Sequence, residues 1–157
     1  MNILKKDFKN DLLTGKFHLV LQPKVCVKTL KIVGFETLLR WKHDKLGEIS
    51  PCKFVPIAEN LGEISSLDLY VFKKSCEFQR YLIDKGIKLK CSVNLSLNTL
   101  KSYEKINEIL NIYKEYKIPK HLITAEILEN VSLNNNAKTI SYINLLRENG
   151  ICISIDD

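Results

Sequence analysis

At 157 residues, with 45% apolar and 27% charged side chains, the chain has the size and composition of one soluble globular domain and contains no low-complexity stretch. No run approaches the roughly 18 apolar residues of a membrane span, and the charged N-terminus, Met1 to Asn10, lacks the apolar centre of a signal peptide, so no membrane segment and a cytoplasmic location are expected. The net charge of +6 sits on scattered lysines interleaved with acids, as Glu104, Glu108 and Glu115 are between Lys101 and Lys117; this is the pattern of a solvated helical face, not of a nucleic-acid surface, and its mild positive field favours anionic phosphate ligands.

In chain order, residues 2–15 read as a short helix ended by Gly15, and His18 to Val27 as a strand whose Pro23 argues for an edge position or a bulge. Ile32 to Trp41 is a second strand, entered through Gly34. Pro51 opens a helical stretch to Glu59, since proline suits a first helical turn. From Ser66 to Lys85, apolar residues at Leu67, Tyr70, Phe72, Cys76, Phe78 and Leu82 keep a roughly helical period, closed by Gly86. The rhythm then repeats. Ile87 to Leu95 reads as a strand, Leu97 to Tyr116 as a helix, Leu122 to Leu128 as a strand, Val131 to Glu148 as a helix capped by Gly150, and Ile151 to Ile155 as a strand. Strand and helix alternate through the second half, which with about five strands in all predicts a single α/β domain over 1–157 with parallel strands. Cys26, Cys52, Cys76, Cys91 and Cys152 are odd in number, widely spaced and free of any Cys-x-x-Cys pair. They read as small hydrophobes in a reducing compartment, not as a zinc site or a disulfide framework.

Four of these apolar runs end in oxygen-bearing groups: Phe35-Glu36, Val93-Asn94-Leu95-Ser96, Ala125-Glu126-Ile127, and the run from Ile151 to Ile155 that leads into Asp156 and Asp157. Active-site groups gather at the carboxyl ends of the strands in a (β/α)₈ barrel, a fold of typically ~250 residues, so this chain is expected to supply about the first five of eight strands. Mg²⁺ and Mn²⁺ prefer carboxylate, amide and water oxygens. Four carboxylates and one amide carbonyl could hold two such ions, which together clamp the attacking and leaving oxygens of a phosphoryl displacement. Each position also has an ordinary structural role open to it: Glu36 paired with Arg40, Asn94 satisfying a turn, Asp156-Asp157 in a solvated loop. Their recurrence at the ends of successive strands favours the metal reading.

The string Gly34-Phe35-Glu36-Thr37-Leu38-Leu39-Arg40-Trp41 resembles the signature of the EAL-domain cyclic-di-GMP phosphodiesterases. So, in matching order, do Leu21-Gln22-Pro23, Phe54-Val55-Pro56-Ile57-Ala58-Glu59, Val93-Asn94-Leu95-Ser96, Glu126-Ile127-Leu128-Glu129 and Ile155-Asp156-Asp157. The resemblance runs from about Lys16 onward. It implies a modified TIM (β/α)₈ barrel and a hydrolase that opens cyclic-di-GMP to linear pGpG with Mg²⁺ or Mn²⁺. By the same resemblance, Glu36, Asn94, Glu126, Asp156 and Asp157 are metal ligands, Glu36 and Asp157 carrying the catalytic role with Asp157 bridging two ions. Gln22, Leu38 and Arg40 contact substrate, Arg40 through a phosphate oxygen, for which a guanidinium is suited. Glu129 orients the loop after the paired aspartates, and Trp41, Pro56 and Ala58 are packing residues.

Departures from the family pattern spare every ligand: Thr37 stands for the alanine of the name motif, Leu128 for a usual threonine, Leu21 for a usual tyrosine, and Asp44 for the proline that often follows His43. In the family the chain continues past the paired aspartates into a Phe-Gly-Thr-Gly loop and then supplies a lysine, a glutamate and a glutamine from later strands. These 157 residues alone are therefore expected to be impaired or inactive, and a homodimer or another chain that completes the barrel is the expected protein partner. Two further readings follow from the same residues: a regulatory module that binds cyclic-di-GMP without cleaving it, and an interaction fragment with no nucleotide dependence.

Overall fold

A computed structural model describes residues 2–128 and 137–156. Helix α1 (Asn2–Leu13) leads into strand β1 (Phe17–Val25), which pairs antiparallel with β2 (Ile32–His43). The short strand β3 (Gly47–Ile49) folds back on the end of β2. Helices α2 (Pro51–Asn60) and α3 (Ile64–Asp84) then lead to β4 (Lys90–Asn94), which lies parallel to β2. Helices α4 (Leu97–Leu100) and α5 (Tyr103–Glu115), strand β5 (Ile123–Leu128), helix α6 (Ala137–Glu148) and strand β6 (Cys152–Asp156) complete the described chain. Strands β4, β5 and β6 are parallel. The six strands form one sheet in the order β1-β2-β4-β5-β6, with β3 beside β2. This is an α/β partial barrel whose sheet is not closed.

Several boundaries differ from the sequence expectation for local reasons. Leu97 to Tyr116 is two helices, because Ser96 and Ser102 each act as an N-cap whose hydroxyl accepts a backbone N–H, from Thr99 and Lys105 respectively. A sixth strand, β3, is only three residues long and lacks any periodicity to read. The first strand pair is antiparallel, since only a short loop joins β1 to β2 and a parallel pair needs a crossover. Pro23 lies on edge strand β1, beside a register shift at Lys24/Val25. The expected helical residues 131–136 lie outside the described chain.

Two cores hold the sheet. Near α1, Trp41 is fully buried, stacks on Phe17 with ring centroids 5.0 Å apart, meets Phe8 and Phe54 edge-on, and donates its indole N–H to Asp11 Oδ2 at 2.9 Å. The second core is mainly aliphatic: Val93, Leu100, Ile106, Ile109, Ile123, Ile127 and Leu146 pack between the parallel strands and helices α3, α5 and α6.

Candidate active site

Strand alternation sorts the polar residues. Phe35, Cys91, Val93, Ile123, Ala125 and Ile127 belong to the helix-packed core. The residues alternating with them, Glu36 on β2, Ser92 and Asn94 on β4 and Glu126 on β5, take the other face. The registers place Glu36 opposite Ser92 and Asn94 opposite Glu126. Asn94 Nδ2 donates to Glu36 Oε1 at 2.8 Å, which directs the amide N–H₂ at one carboxylate and keeps Oδ1 as the atom suited to a cation. Glu36 is thus paired with Asn94 and not with Arg40, whose Nη1 donates to Leu39 O at 2.8 Å.

A cleft of about 400 Å³ opens at the carboxyl end of β2, and Glu36, Leu38, Arg40 and Asn94 line it together with Phe54 and Leu67. The structure therefore brings together four of the residues singled out from sequence. Gln22 is exposed on β1, with its Cα opposite that of Glu36, and neither it nor Glu126 lines this cleft. Asp156 closes β6 in register with Leu128, while Asp157 and Glu129 lie outside the described residues.

Asp68, on the buried stripe of α3, is a member of the site that the sequence did not flag. Its Oδ2 accepts from the Ser96 backbone N–H at 2.8 Å, from Ser96 Oγ at 2.6 Å and from Thr99 Oγ1 at 2.6 Å. These bonds pin the turn two residues beyond Asn94. Burial pushes the Asp68 carboxyl above its ordinary range, against the opposing pull of those three donors. The available signal was a lone acid inside an apolar helical stripe, which has no counterpart in ligand spacing. The replacement at Thr37 also finds its explanation here: its side chain is buried, its hydroxyl donates to Ser92 O at 3.1 Å, and Ser75 Oγ lies 2.9 Å away. A hydroxyl in place of the usual methyl is tolerated because its proton has the Ser92 carbonyl as acceptor and its oxygen has a second hydroxyl beside it.

Lys24 is the second unforeseen member. Its ammonium donates to Ser92 Oγ at 2.8 Å and pairs with Glu126 Oε1. Glu126 is 8% exposed at its side chain, so this contact supplies the positive charge that a nearly buried carboxylate requires. Among the described residues no three acidic, histidine or cysteine side chains converge. Glu36 and Glu126 with the Asn94 amide nevertheless form an all-oxygen donor set of the kind Mg²⁺ and Mn²⁺ take, and Glu126 already holds a cation in the form of Lys24.

A partial barrel with carboxylate and amide oxygens on one face of its parallel strands, beside a cleft that Arg40 lines, defines an α/β domain of the barrel class, in which polar groups from successive strands share one face. The EAL domain family matches residues 5–157, and the chain belongs to it. It is 30% identical over 157 residues to the oxygen sensor protein DosP of Escherichia coli, covering 99% of this chain and 20% of that protein. It is 31% identical over 141 residues to the cyclic di-GMP phosphodiesterase PA2567 of Pseudomonas aeruginosa, covering 90% of this chain and 24% of that protein. Among solved structures, the PaMucR phosphodiesterase in complex with c-di-GMP superposes with a TM-score of 0.92 at 28% identity, over 99% of this chain and 63% of that one. The chain thus spans about a fifth to a quarter of these two curated relatives. No helix among the described residues is long and apolar enough to cross a membrane.

Proposed function

We propose that these residues form the metal-binding and phosphate-binding part of a cyclic-di-GMP phosphodiesterase that yields linear pGpG. The observation that carries this reading is the placement of Glu36, Asn94 and Glu126 on one face of three adjacent parallel strands, with the Glu36–Asn94 bond at 2.8 Å. Membership of a family with relatives named as cyclic di-GMP phosphodiesterases supports the choice of substrate.

In this reading Glu36, Asn94 and Glu126, with Asp156 and Asp157, hold Mg²⁺ or Mn²⁺. When bound, the ions supply a hydroxide nucleophile at neutral pH and neutralise charge on the phosphate. Arg40 presents its guanidinium to a phosphate oxygen from the cleft wall, while Leu38 and Gln22 contact the nucleotide from the neighbouring strands. Asp68 acts by positioning: by fixing Ser96 and Thr99 it holds the end of β4, and so Asn94, in place. Glu129 orients the segment that follows the aspartates.

The test is hydrolysis of cyclic-di-GMP in Mn²⁺, followed by chromatography of pGpG, with Glu36→Gln alongside. The expected result is that Mn²⁺ and cyclic-di-GMP bind, that any turnover disappears with chelator, and that Glu36→Gln loses both metal binding and turnover. Nucleotide binding or cleavage indifferent to chelator and to Glu36→Gln would sink the metal reading.

A further inference from the structure

We propose that Lys24 is a built-in rival of the divalent cation at Glu126 and sets how tightly that carboxylate holds metal. The inference rests on the metal reading above. Lys24 is on edge strand β1, and Glu126 is three strands away in the order β1-β2-β4-β5. At ~4.8 Å per strand a flat sheet would separate the two backbones by about 14 Å. The curl of the partial barrel brings ammonium and carboxylate into contact across its concave face. Gly34 is the residue opposite Lys24 on β2, so no side chain stands between Lys24 and the inner strands. The space is not spare: a Cβ at Gly34 would meet Lys90 O at 2.6 Å.

The ammonium is held at two points, Glu126 and Ser92 Oγ, and Ser92 is itself buried. Lys24 therefore occupies one defined place over Glu126. A divalent ion that ligates Glu126 must either displace this tethered cation or accept a positive neighbour a few ångströms away, and both lower its affinity. In return, Lys24 keeps a nearly buried carboxylate paired when no ion is bound. The result is a site with a stable acid and moderated metal affinity.

Titration calorimetry with Mn²⁺ on the wild-type chain, Lys24→Gln and Lys24→Arg tests this directly, with circular dichroism to establish folding. Removal of one like charge at this range predicts at least about tenfold tighter Mn²⁺ binding by Lys24→Gln, with Lys24→Arg close to wild type. Without metal, Lys24→Gln has a lower melting temperature, and Lys24→Gln/Glu126→Gln recovers it. Ser92→Ala removes one of the two anchors and tightens Mn²⁺ binding by about two- to threefold, which keeps the test open should Lys24→Gln not fold. Equal or weaker Mn²⁺ binding in folded Lys24→Gln, beside a wild type that binds, overturns the rivalry and leaves the metal reading standing. Absence of Mn²⁺ binding in both overturns the metal reading and the rivalry with it.

Discussion

Strands β2, β4 and β5 present two faces of opposite character, and a single alternation along the chain builds both. Toward the helices lie Phe35, Cys91, Val93, Ile123, Ala125 and Ile127, all buried. On the concave face lie Glu36 and Asn94, bonded to each other, and Ser92 and Glu126, each bonded to Lys24. The first face stabilises by area removed from water, which is non-directional and tolerant of shape-conserving exchange. The second depends on charges and lone pairs held at particular distances, where loss of one partner leaves another unpaired. Fold and chemistry are thus carried by alternate residues of the same segments.

The sharpest way to break the comparison is on the helix-packed face. Ile123→Ala leaves a cavity under β5 and is expected to cost about 2–5 kcal/mol in urea unfolding. Asp68→Ala comes next, at about 2–3 kcal/mol, because Ser96 and Thr99 lose the acceptor they share in a buried setting. It should also weaken Mn²⁺ binding, although Asp68 is not a ligand. By contrast, Glu36→Gln should leave stability within about 1 kcal/mol while lowering Mn²⁺ affinity by at least about 10–100-fold, the range that even outer partners of a metal site command. A protein unfolded by Glu36→Gln would show that the two faces are not separable.

The pH dependence of Asp68 gives a finer measure. Its carboxyl titrates higher in the folded chain than the ordinary 3.8, so the folded state binds the extra proton. The associated stability is complete below 3.8 and is lost as pH rises through the folded value. The stability of wild type minus that of Asp68→Asn should therefore fall with rising pH above 3.8, by about 1.4 kcal/mol for each pH unit the window spans. A flat difference would show that the three donors outweigh burial. The smallest expected effect is in thiol labelling read by mass spectrometry. Burial holds Cys76 well above the ordinary thiol range and pushes Cys91 up to about 12, so neither should label in the folded chain. Cys52 is exposed, and hydrogen bonding from Thr29 lowers the Cys26 thiol, so these two should react, Cys26 persisting to lower pH.

Much of this was legible in the sequence, because it depends on near neighbours. Recurrence along successive apolar runs marked Glu36, Asn94 and Glu126, helical period marked α3, and the ordered motifs from Gln22 to Asp157 carried the family and with it the barrel. The N-cap serines at 96 and 102 were also local signals, but a continuous apolar period across Leu97 to Tyr116 masked the break between them.

What only the tertiary structure decided are contacts between residues far apart in the chain. Lys24 meets Glu126 across 102 positions, and Asp68 meets Ser96 across 28. Neither pairing leaves a trace in periodicity, since the curl of a sheet and the packing of a helix against a loop fix them. The sequence by itself determined which residues share a face of each strand. The fold determined which of them touch, because distance across a curved sheet is set by strand order and not by separation along the chain.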